Sequence, residues 1–169
     1  TGWCLINSDR GTIEGMGYID LAREKDILLK AEIVKSNLAI LDEEYCIEKI
    51  FIEENLQAFR PGLSSAKTLM TLAQFNGVVR WICYEQLQVP IEAINVNTAR
   101  KSVGLKINKK DKTKSTKEKV LDWVKLQENI KWPTKILKSG PRKGTEVYEN
   151  YVYDMADAYV IGKSYFIEK

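Results

Sequence analysis

The amino-acid sequence contains no histidine and only three cysteines among its 169 residues. Without histidine, the chain cannot build a Ser-His-Asp or Cys-His nucleophile or a histidine-bound metal. Any acid–base or metal chemistry must therefore rest on carboxylates and lysines. Cys4, Cys46 and Cys83 are odd in number, far apart and set among apolar residues. We expect reduced thiols in the core, and neither a disulfide framework nor a zinc site.

Long apolar runs are also missing. No stretch of the sequence approaches the roughly 18–20 apolar residues of a membrane-spanning helix, and no charged-then-apolar leader opens it. We therefore expect a cytoplasmic protein, of a bacterial cell or, for a viral source, of its host. With 44% hydrophobic and 29% charged residues, the composition favours one globular domain over residues 1–169.

Charge is distributed very unevenly along the chain. Residues 100–143 contain 15 basic and 4 acidic residues, a net charge of +11. The remainder contains 11 basic and 19 acidic residues, a net charge of −8. A basic block on an acidic body is typical of proteins that bind polyanions such as nucleic acids. The alternative is a lysine-rich surface segment that is simply solvated.

Apolar spacing predicts strands and helices that alternate along the chain. Two short strands are followed by a helix, a strand that ends at Glu53, a long helix, another strand and two further helices. The predicted helices cover about residues 23–44, 64–86 and 116–127 and the segment from 154 onward. This order favours an α/β fold with a mixed sheet. The basic segments 107–116 and 131–148 are expected to be irregular.

Three carboxylates stand where an α/β protein can bind a metal. Glu53 closes the apolar run KIFIEE, and ligands usually bind at the carboxyl ends of sheet strands. Asp154 and Asp157 lie about one helical turn apart in YDMADAYVIG, and oxygen-rich clusters select Mg²⁺ or Mn²⁺. Two alternatives stay open. Asp154 and Asp157 suit the N-cap and N3 positions of the last helix, and Glu53 suits a solvated strand end.

Five segments, taken in order, resemble the RuvC-like Holliday-junction resolvases, which are nucleases of the ribonuclease H-like superfamily. They are IFIEEN, the long helix that Gly77 interrupts, NVNTARKSVGL, STKEKV and DMADAYVIG. The resemblance spans essentially the whole chain. It implies a mixed five-stranded sheet flanked by helices, with the first strand missing from this sequence.

The resemblance also implies the residues of a site. Glu53, Asp154 and Asp157 match three of the four carboxylates that hold two Mg²⁺ ions in the family, and Mn²⁺ is expected to substitute. The fourth, an aspartate of the first strand, would lie upstream of Thr1, and Asp9 is a poor substitute because it lies in a turn. Lys117 matches a catalytic lysine near the scissile phosphate. The implied DNA-binding residues are Arg100, Lys101, Lys109, Lys110 and Lys117.

The resulting hypothesis is a Mg²⁺-dependent endodeoxyribonuclease that acts as a homodimer on four-way junctions and other branched DNA. The products would carry 5′-phosphate and 3′-hydroxyl ends, and the segments 106–119 and 131–143 would grip the DNA backbones. Gly77 indicates close approach of another element, from a second copy or from the same chain. A branched-DNA binding module with an incomplete metal site is the alternative. Another ribonuclease H-like activity, on RNA–DNA hybrids or ATP, is a third hypothesis.

Overall fold

The structure, a computed structural model, describes residues 1–55, 66–108, 111 and 113–167. Two compact units make up the chain. The first unit combines Thr1–Tyr18 with Asn97–Lys169, and the second unit comprises Ile19–Val96. The single domain expected from the length stays a prediction. None of the helices in the described ranges is both long and apolar enough to cross a membrane.

Six strands and five helices are present in the described part of the chain. The strands are β1 (Gly2–Ile6), β2 (Ile13–Tyr18), β3 (Ile50–Glu53), β4 (Ile91–Ile94), β5 (Thr134–Ile136) and β6 (Glu146–Tyr148). The helices are α1 (Ile27–Glu44), α2 (Ala66–Leu87), α3 (Val96–Ser102), α4 (Thr116–Gln127) and α5 (Tyr151–Ile167). Every element of the predicted order is therefore present. The short helix α3 and the strands β5 and β6 are additional.

The core of the first unit forms around α5. This helix packs against β1 and against α4, and β1 pairs with β2 in an antiparallel hairpin. Buried positions recur every three or four residues, so each helix presents an apolar face to the core. The buried side chains are Val120, Leu121 and Val124 of α4 and Val152, Met155, Ala156, Tyr159, Val160 and Ile161 of α5.

Two glycines bring α5 close to the first strand. A Cβ atom on Gly2 would overlap the backbone carbonyl of Asp154 and the backbone amide of Met155, which the helix holds in place. A Cβ atom on Gly162 would instead come within 2.8 Å of Cδ1 of Ile6, the mobile end of a side chain. The absence of a side chain is therefore needed more strictly at Gly2 than at Gly162.

The second unit contains the parallel pair β3–β4 and the packed helices α1 and α2. Asp26 sets the start of α1, because its carboxylate accepts hydrogen bonds from the amides of Leu28 at 2.7 Å and Leu29 at 3.1 Å. The apolar spacing predicted a start near residue 23. This cap explains why the helix begins at Ile27 instead.

The α/β class predicted from the sequence is confirmed, but the finer prediction of one five-stranded sheet is not. The described strands form three two-stranded sheets, namely antiparallel β1–β2, parallel β3–β4 and antiparallel β5–β6. The first two pairs belong to different units. The third pair closes on itself through the turn between β5 and β6, in a segment that the sequence predicted to be irregular.

The cysteines are free thiols, as predicted, but they are not all in the core. Cys46 is exposed directly after the end of α1, so that part of the prediction was wrong. Cys83 is buried in α2, and Cys4 is partly buried in β1. Burial raises the pKa of the Cys4 thiol to about 12 and that of Cys83 to about 11, which keeps both protonated at neutral pH.

Candidate active site

The two aspartates lie inside α5 and do not cap it. The helix begins at Tyr151, which places Asp154 at its fourth residue and Asp157 in the next turn. The alternative interpretation, with Asp154 as the N-cap, was therefore wrong: three residues, Tyr151, Val152 and Tyr153, precede it within the helix. Val152 is fully buried, and this accounts for the earlier start. The carboxylates thus need partners from other elements.

Asp157 is bound by an arginine from α3. Nη2 of Arg100 donates to Oδ1 of Asp157 over 2.7 Å, and the two side chains are only 13% and 19% exposed. Nε of Arg100 is buried without a hydrogen-bond partner among the described residues. In such a shielded place an ion pair is screened little by water, and removing one partner would strand the other charge.

Asp154 has a looser partner on α4. Nζ of Lys117 lies 3.8 Å from Oδ1 of Asp154, and the two side chains are 61% and 47% exposed. A pair at this distance and exposure contributes little to stability. Both groups are therefore free to exchange partners when a ligand arrives, which distinguishes Asp154 from Asp157.

The position of Lys117 depends on the cap of α4. Ser115 and Glu118 form a capping box, in which the amide of Ser115 donates to Oε2 of Glu118 over 2.7 Å and the amide of Glu118 donates to Oγ of Ser115 over 3.3 Å. These hydrogen bonds lower the pKa of Glu118. They fix the first turn of α4, where Lys117 is the second residue. The sequence predicted this helix with Ser115 or Thr116 as its cap and an end at about Gln127, and the structure selects Ser115.

Glu53 stands at the carboxyl end of β3, as predicted, and is exposed. Its backbone carbonyl accepts a hydrogen bond from Nδ2 of Asn76 in α2 at 2.9 Å. Beside it, Oε2 of Glu54 accepts from Nδ2 of Asn95 at 3.1 Å. Glu53 belongs to the second unit, whereas Asp154 and Asp157 belong to the first. Joint metal binding by all three stays a prediction.

Internal ion pairs occupy part of the basic block. Nζ of Lys119 lies 3.0 Å from Oδ2 of Asp111, and Nζ of Lys114 lies 2.6 Å from Oδ2 of Asp122. Hydrogen bonds from Thr113, followed by those from Lys119, hold the pKa of Asp111 well below its usual range. The charges of these lysines are therefore balanced within the protein. This agrees in part with the alternative that the lysine-rich segment is an ordinary surface and does not bind a polyanion.

Other predicted DNA-binding residues remain on the surface or lie outside the described residues. Lys101 is exposed in the last turn of α3, next to the shielded Arg100. Lys109 and Lys110 fall outside the described residues. The structure therefore brings together Arg100, Lys117, Asp154 and Asp157, and it leaves Lys101 as a separate exposed cation.

Two solved structures from Thermus thermophilus resemble this chain. RuvC in complex with a Holliday junction substrate superimposes with a TM-score of 0.58 at 14% sequence identity, over 92% of this chain and 77% of that chain. A second RuvC structure gives a TM-score of 0.57 at 13% sequence identity, over 97% of this chain and 84% of that chain. No protein-family model and no curated protein matches this sequence. The chain has a RuvC-like fold.

The sequence resemblance to RuvC-like resolvases led us to expect a divalent metal, and the carboxylates on α5 are chemically suited to bind one. Carboxylate oxygens are the ligands that Mg²⁺ prefers, and Asp154 is exposed enough to bind an ion. Asp157 would have to share its oxygens with Arg100. Within the described residues, no group of three or more Asp, Glu, Cys or His side chains is arranged to hold a metal. The site on α5 is thus a pair of carboxylates.

The counter-charges of the aspartates are the part of this site that the sequence did not predict. Asp154 and Asp157 have no basic residue three or four positions downstream, so a search within the helix finds no partner. Arg100 lies 57 residues from Asp157 along the chain. Both Arg100 and Lys117 were predicted as DNA contacts, but no local pattern predicts their pairing with these aspartates.

Proposed function

We propose that this protein is a structure-selective endodeoxyribonuclease that hydrolyses phosphodiester bonds in branched DNA, four-way junctions above all. The observation that carries the proposal is the exposed Lys117–Asp154 pair beside the shielded Arg100–Asp157 pair on α5. This arrangement lies in a fold shared with a RuvC that was solved in complex with a Holliday junction substrate. The products would be 5′-phosphate and 3′-hydroxyl ends.

Each residue of the site has a proposed role. Asp154, Asp157 and Glu53 would hold Mg²⁺ or Mn²⁺, since all three offer carboxylate oxygens. Bound divalent ions supply charge neutralisation at the phosphate and lower the pKa of water. Lys117 would move from Asp154 to the non-bridging oxygens of the scissile phosphate. Arg100 would hold Asp157 at a fixed position on α5, because the two side chains are shielded and 2.7 Å apart.

Contacts to DNA would come mainly from the basic block. We propose phosphate contacts for Lys101 and Lys117, which are exposed, and for Lys109 and Lys110. A contact by Arg100 would require its guanidinium to serve Asp157 and a phosphate together. Cations that neutralise phosphates make binding salt-sensitive and independent of base sequence. Selectivity would then depend on the shape of the junction more than on base edges.

A homodimer is part of the proposal, and α2 offers a surface for it. Trp81 and Tyr84 are 63% and 60% exposed, and they line a cavity of about 480 Å³ together with Gly77 and Pro90. A Cβ atom on Gly77 would meet no described atom within 4 Å, so no close packing within the described chain accounts for this glycine. A second copy would bury this face and could present two sites to two strands.

Light scattering tests the dimer through single substitutions. Trp81→Glu should convert a dimer into a monomer, because it places a charge in the proposed interface. Leu126→Glu is the matched control, since Leu126 is 83% exposed on α4. A wild-type protein that is monomeric at high concentration would contradict the proposal.

A branched-DNA binding module that does not cleave is the second candidate function. It is favoured by one observation: the described residues arrange only two carboxylates on α5, and each has a cationic partner. Such a protein would still bind junctions through its basic block. It would not need Mg²⁺ for any step.

Cleavage of a labelled four-way junction in Mg²⁺ separates the two candidates. The nuclease should introduce nicks that a ligase reseals, and it should leave a linear duplex of the same sequence uncut. Junction binding measured in EDTA provides the control for recognition. Binding without any Mg²⁺-dependent cut would refute the nuclease and leave the binding module.

A further inference from the structure

The turn between β5 and β6 carries a cluster of positive charge. We define the basic tip as Lys138, Arg142 and Lys143, which are all exposed. Residues 137–145 contain no acidic residue. No ion pair neutralises these three side chains among the described residues. The tip therefore presents three free cations, unlike Lys114 and Lys119, which pair with carboxylates.

Hydrogen bonds close the backbone of the turn that carries these cations. The amide of Leu137 donates to the carbonyl of Thr145 over 3.0 Å, and the amide of Gly144 donates to the carbonyl of Leu137 over 2.8 Å. Gly140 and Gly144 have φ angles of 82° and 85°, which favour glycine at both positions. The backbone of a turn closed in this way is ordered before any ligand binds, so binding would order the side chains of the tip but not its backbone.

The base of the hairpin is tied to the helices that carry the candidate site. Nζ of Lys125 in α4 donates to Oη of Tyr148 over 2.6 Å, and Nζ of Lys135 lies 2.9 Å from Oε2 of Glu149. The amide of Val152, in the first turn of α5, donates to the carbonyl of Glu149 over 3.1 Å. The hairpin is thus tied to α4 by one side-chain hydrogen bond, and it runs directly into the first turn of α5.

A cleft of about 610 Å³ lies between the hairpin and these helices. Arg142 lines it together with Glu118 and Tyr153. Glu118 directly follows Lys117 in the sequence, and Tyr153 directly precedes Asp154. The cleft is therefore a neighbour of the Lys117–Asp154 pair. A second glutamate, Glu146, lines the cleft as well. The negative charges of Glu118 and Glu146 would repel a phosphate group that entered the cleft. Phosphates should meet the outer face of the tip.

We infer that the basic tip is the part of the basic block that contacts the phosphodiester backbone of a duplex arm next to the scissile strand, separately from Lys101 and Lys117. The inference rests on the proposed function, because it needs branched DNA as the substrate. It assigns about three phosphate contacts to residues outside the candidate active site. The hairpin would orient the arm relative to the site through its hydrogen bond to Lys125 of α4 and its short connection to α5.

The salt dependence of junction binding tests the inference. Lys138→Gln/Arg142→Gln/Lys143→Gln should reduce the slope of log K against log salt by about 2–3, since each lost contact to a duplex removes about 0.9. The charge-conserving Lys138→Arg/Arg142→Lys/Lys143→Arg should keep the wild-type slope. Binding is measured in EDTA with a synthetic four-way junction, so that no cleavage intervenes.

A second triple variant controls for overall charge. Arg23→Gln/Lys25→Gln/Lys67→Gln removes three exposed cations from the second unit and should change the slope by less than 1. If both triple variants reduced the slope equally, the inference would be overturned, because the change in net charge alone would then explain the reduction. An unchanged slope in the tip variant would also overturn it and leave an acidic peptide as the class of partner that suits the tip. Failure of the wild-type protein to bind junctions would instead refute the proposed function.

Discussion

Nη2 of Arg100 donates to Oδ1 of Asp157 over 2.7 Å, across 57 residues of sequence. The contact ties α3 to α5 within the first unit, and both side chains are mostly shielded from water. Three residues earlier on α5, the one ion-pair partner of Asp154 in the described part of the chain is an exposed lysine at 3.8 Å. The two aspartates therefore differ in what they do for the folded protein, even though one helical turn separates them.

The two aspartates should differ in their contribution to stability. Asp157→Asn should lower the free energy of unfolding by about 2–4 kcal/mol, because it leaves the shielded guanidinium of Arg100 without its counter-charge. Asp154→Asn makes the same chemical change at an exposed site and should cost about 0–1 kcal/mol. Urea unfolding at neutral pH measures both values. Equal losses would contradict the assignment of Arg100 to Asp157.

Lys117 should matter to cleavage and hardly at all to folding. Its side chain is 61% exposed, so Lys117→Gln should change the free energy of unfolding by no more than about 0.5 kcal/mol. The rate of junction cleavage under single-turnover conditions should fall about 100-fold, since a cation next to the developing charge is lost. Lys117→Arg keeps the charge and should recover part of the rate. A wild-type rate in Lys117→Gln would remove this residue from the site.

The close contact between β1 and α5 should make Gly2 indispensable for the site. Gly2→Ala would push α5 away at Asp154, because the new methyl group meets helix backbone. Junction cleavage and thermal stability should both fall. Gly162→Ala is the matched control: its methyl group meets the side chain of Ile6, whose closest atom, Cδ1, can rotate away. Comparable losses in the two variants would show that the position of Asp154 does not depend on Gly2.

Thiol labelling should distinguish the three cysteines. Cys46 is exposed, whereas burial raises the pKa values of Cys4 and Cys83 to about 12 and about 11. At pH 8 an alkylating reagent should therefore modify one thiol of the native protein rapidly, and peptide mapping should place it at Cys46. Three thiols should react in denaturant. Fast modification of Cys83 in the native protein would contradict its burial in α2.

Local chemistry made some of these features predictable from the sequence. The bounds of α4 follow from a capping box at Ser115 and from apolar spacing that ends at Gln127. The position of Glu53 at a strand end follows from the apolar run before it. In both cases neighbours within a few residues determine the structure, so a single sequence suffices.

Other features depend on contacts that the sequence does not display. The helix α3 has only seven residues, and a single residue, Asn95, separates it from β4. The segment 131–148 was expected to be irregular, but it contains a hairpin whose turn uses the positive φ angles of Gly140 and Gly144. The pairing of Arg100 with Asp157 is a tertiary contact, and no periodicity along the chain predicts it.

The central proposal is that Asp154 belongs to a metal-dependent site for junction cleavage. The most direct test compares wild-type protein with Asp154→Asn on a labelled four-way junction, with binding in EDTA and cleavage in Mg²⁺ measured on the same samples. The proposal predicts that both proteins bind with similar affinity and that only the wild type cuts. Mg²⁺-dependent cleavage by Asp154→Asn at the wild-type rate would contradict the proposal. So would a result in which both proteins bind the junction and neither cleaves it.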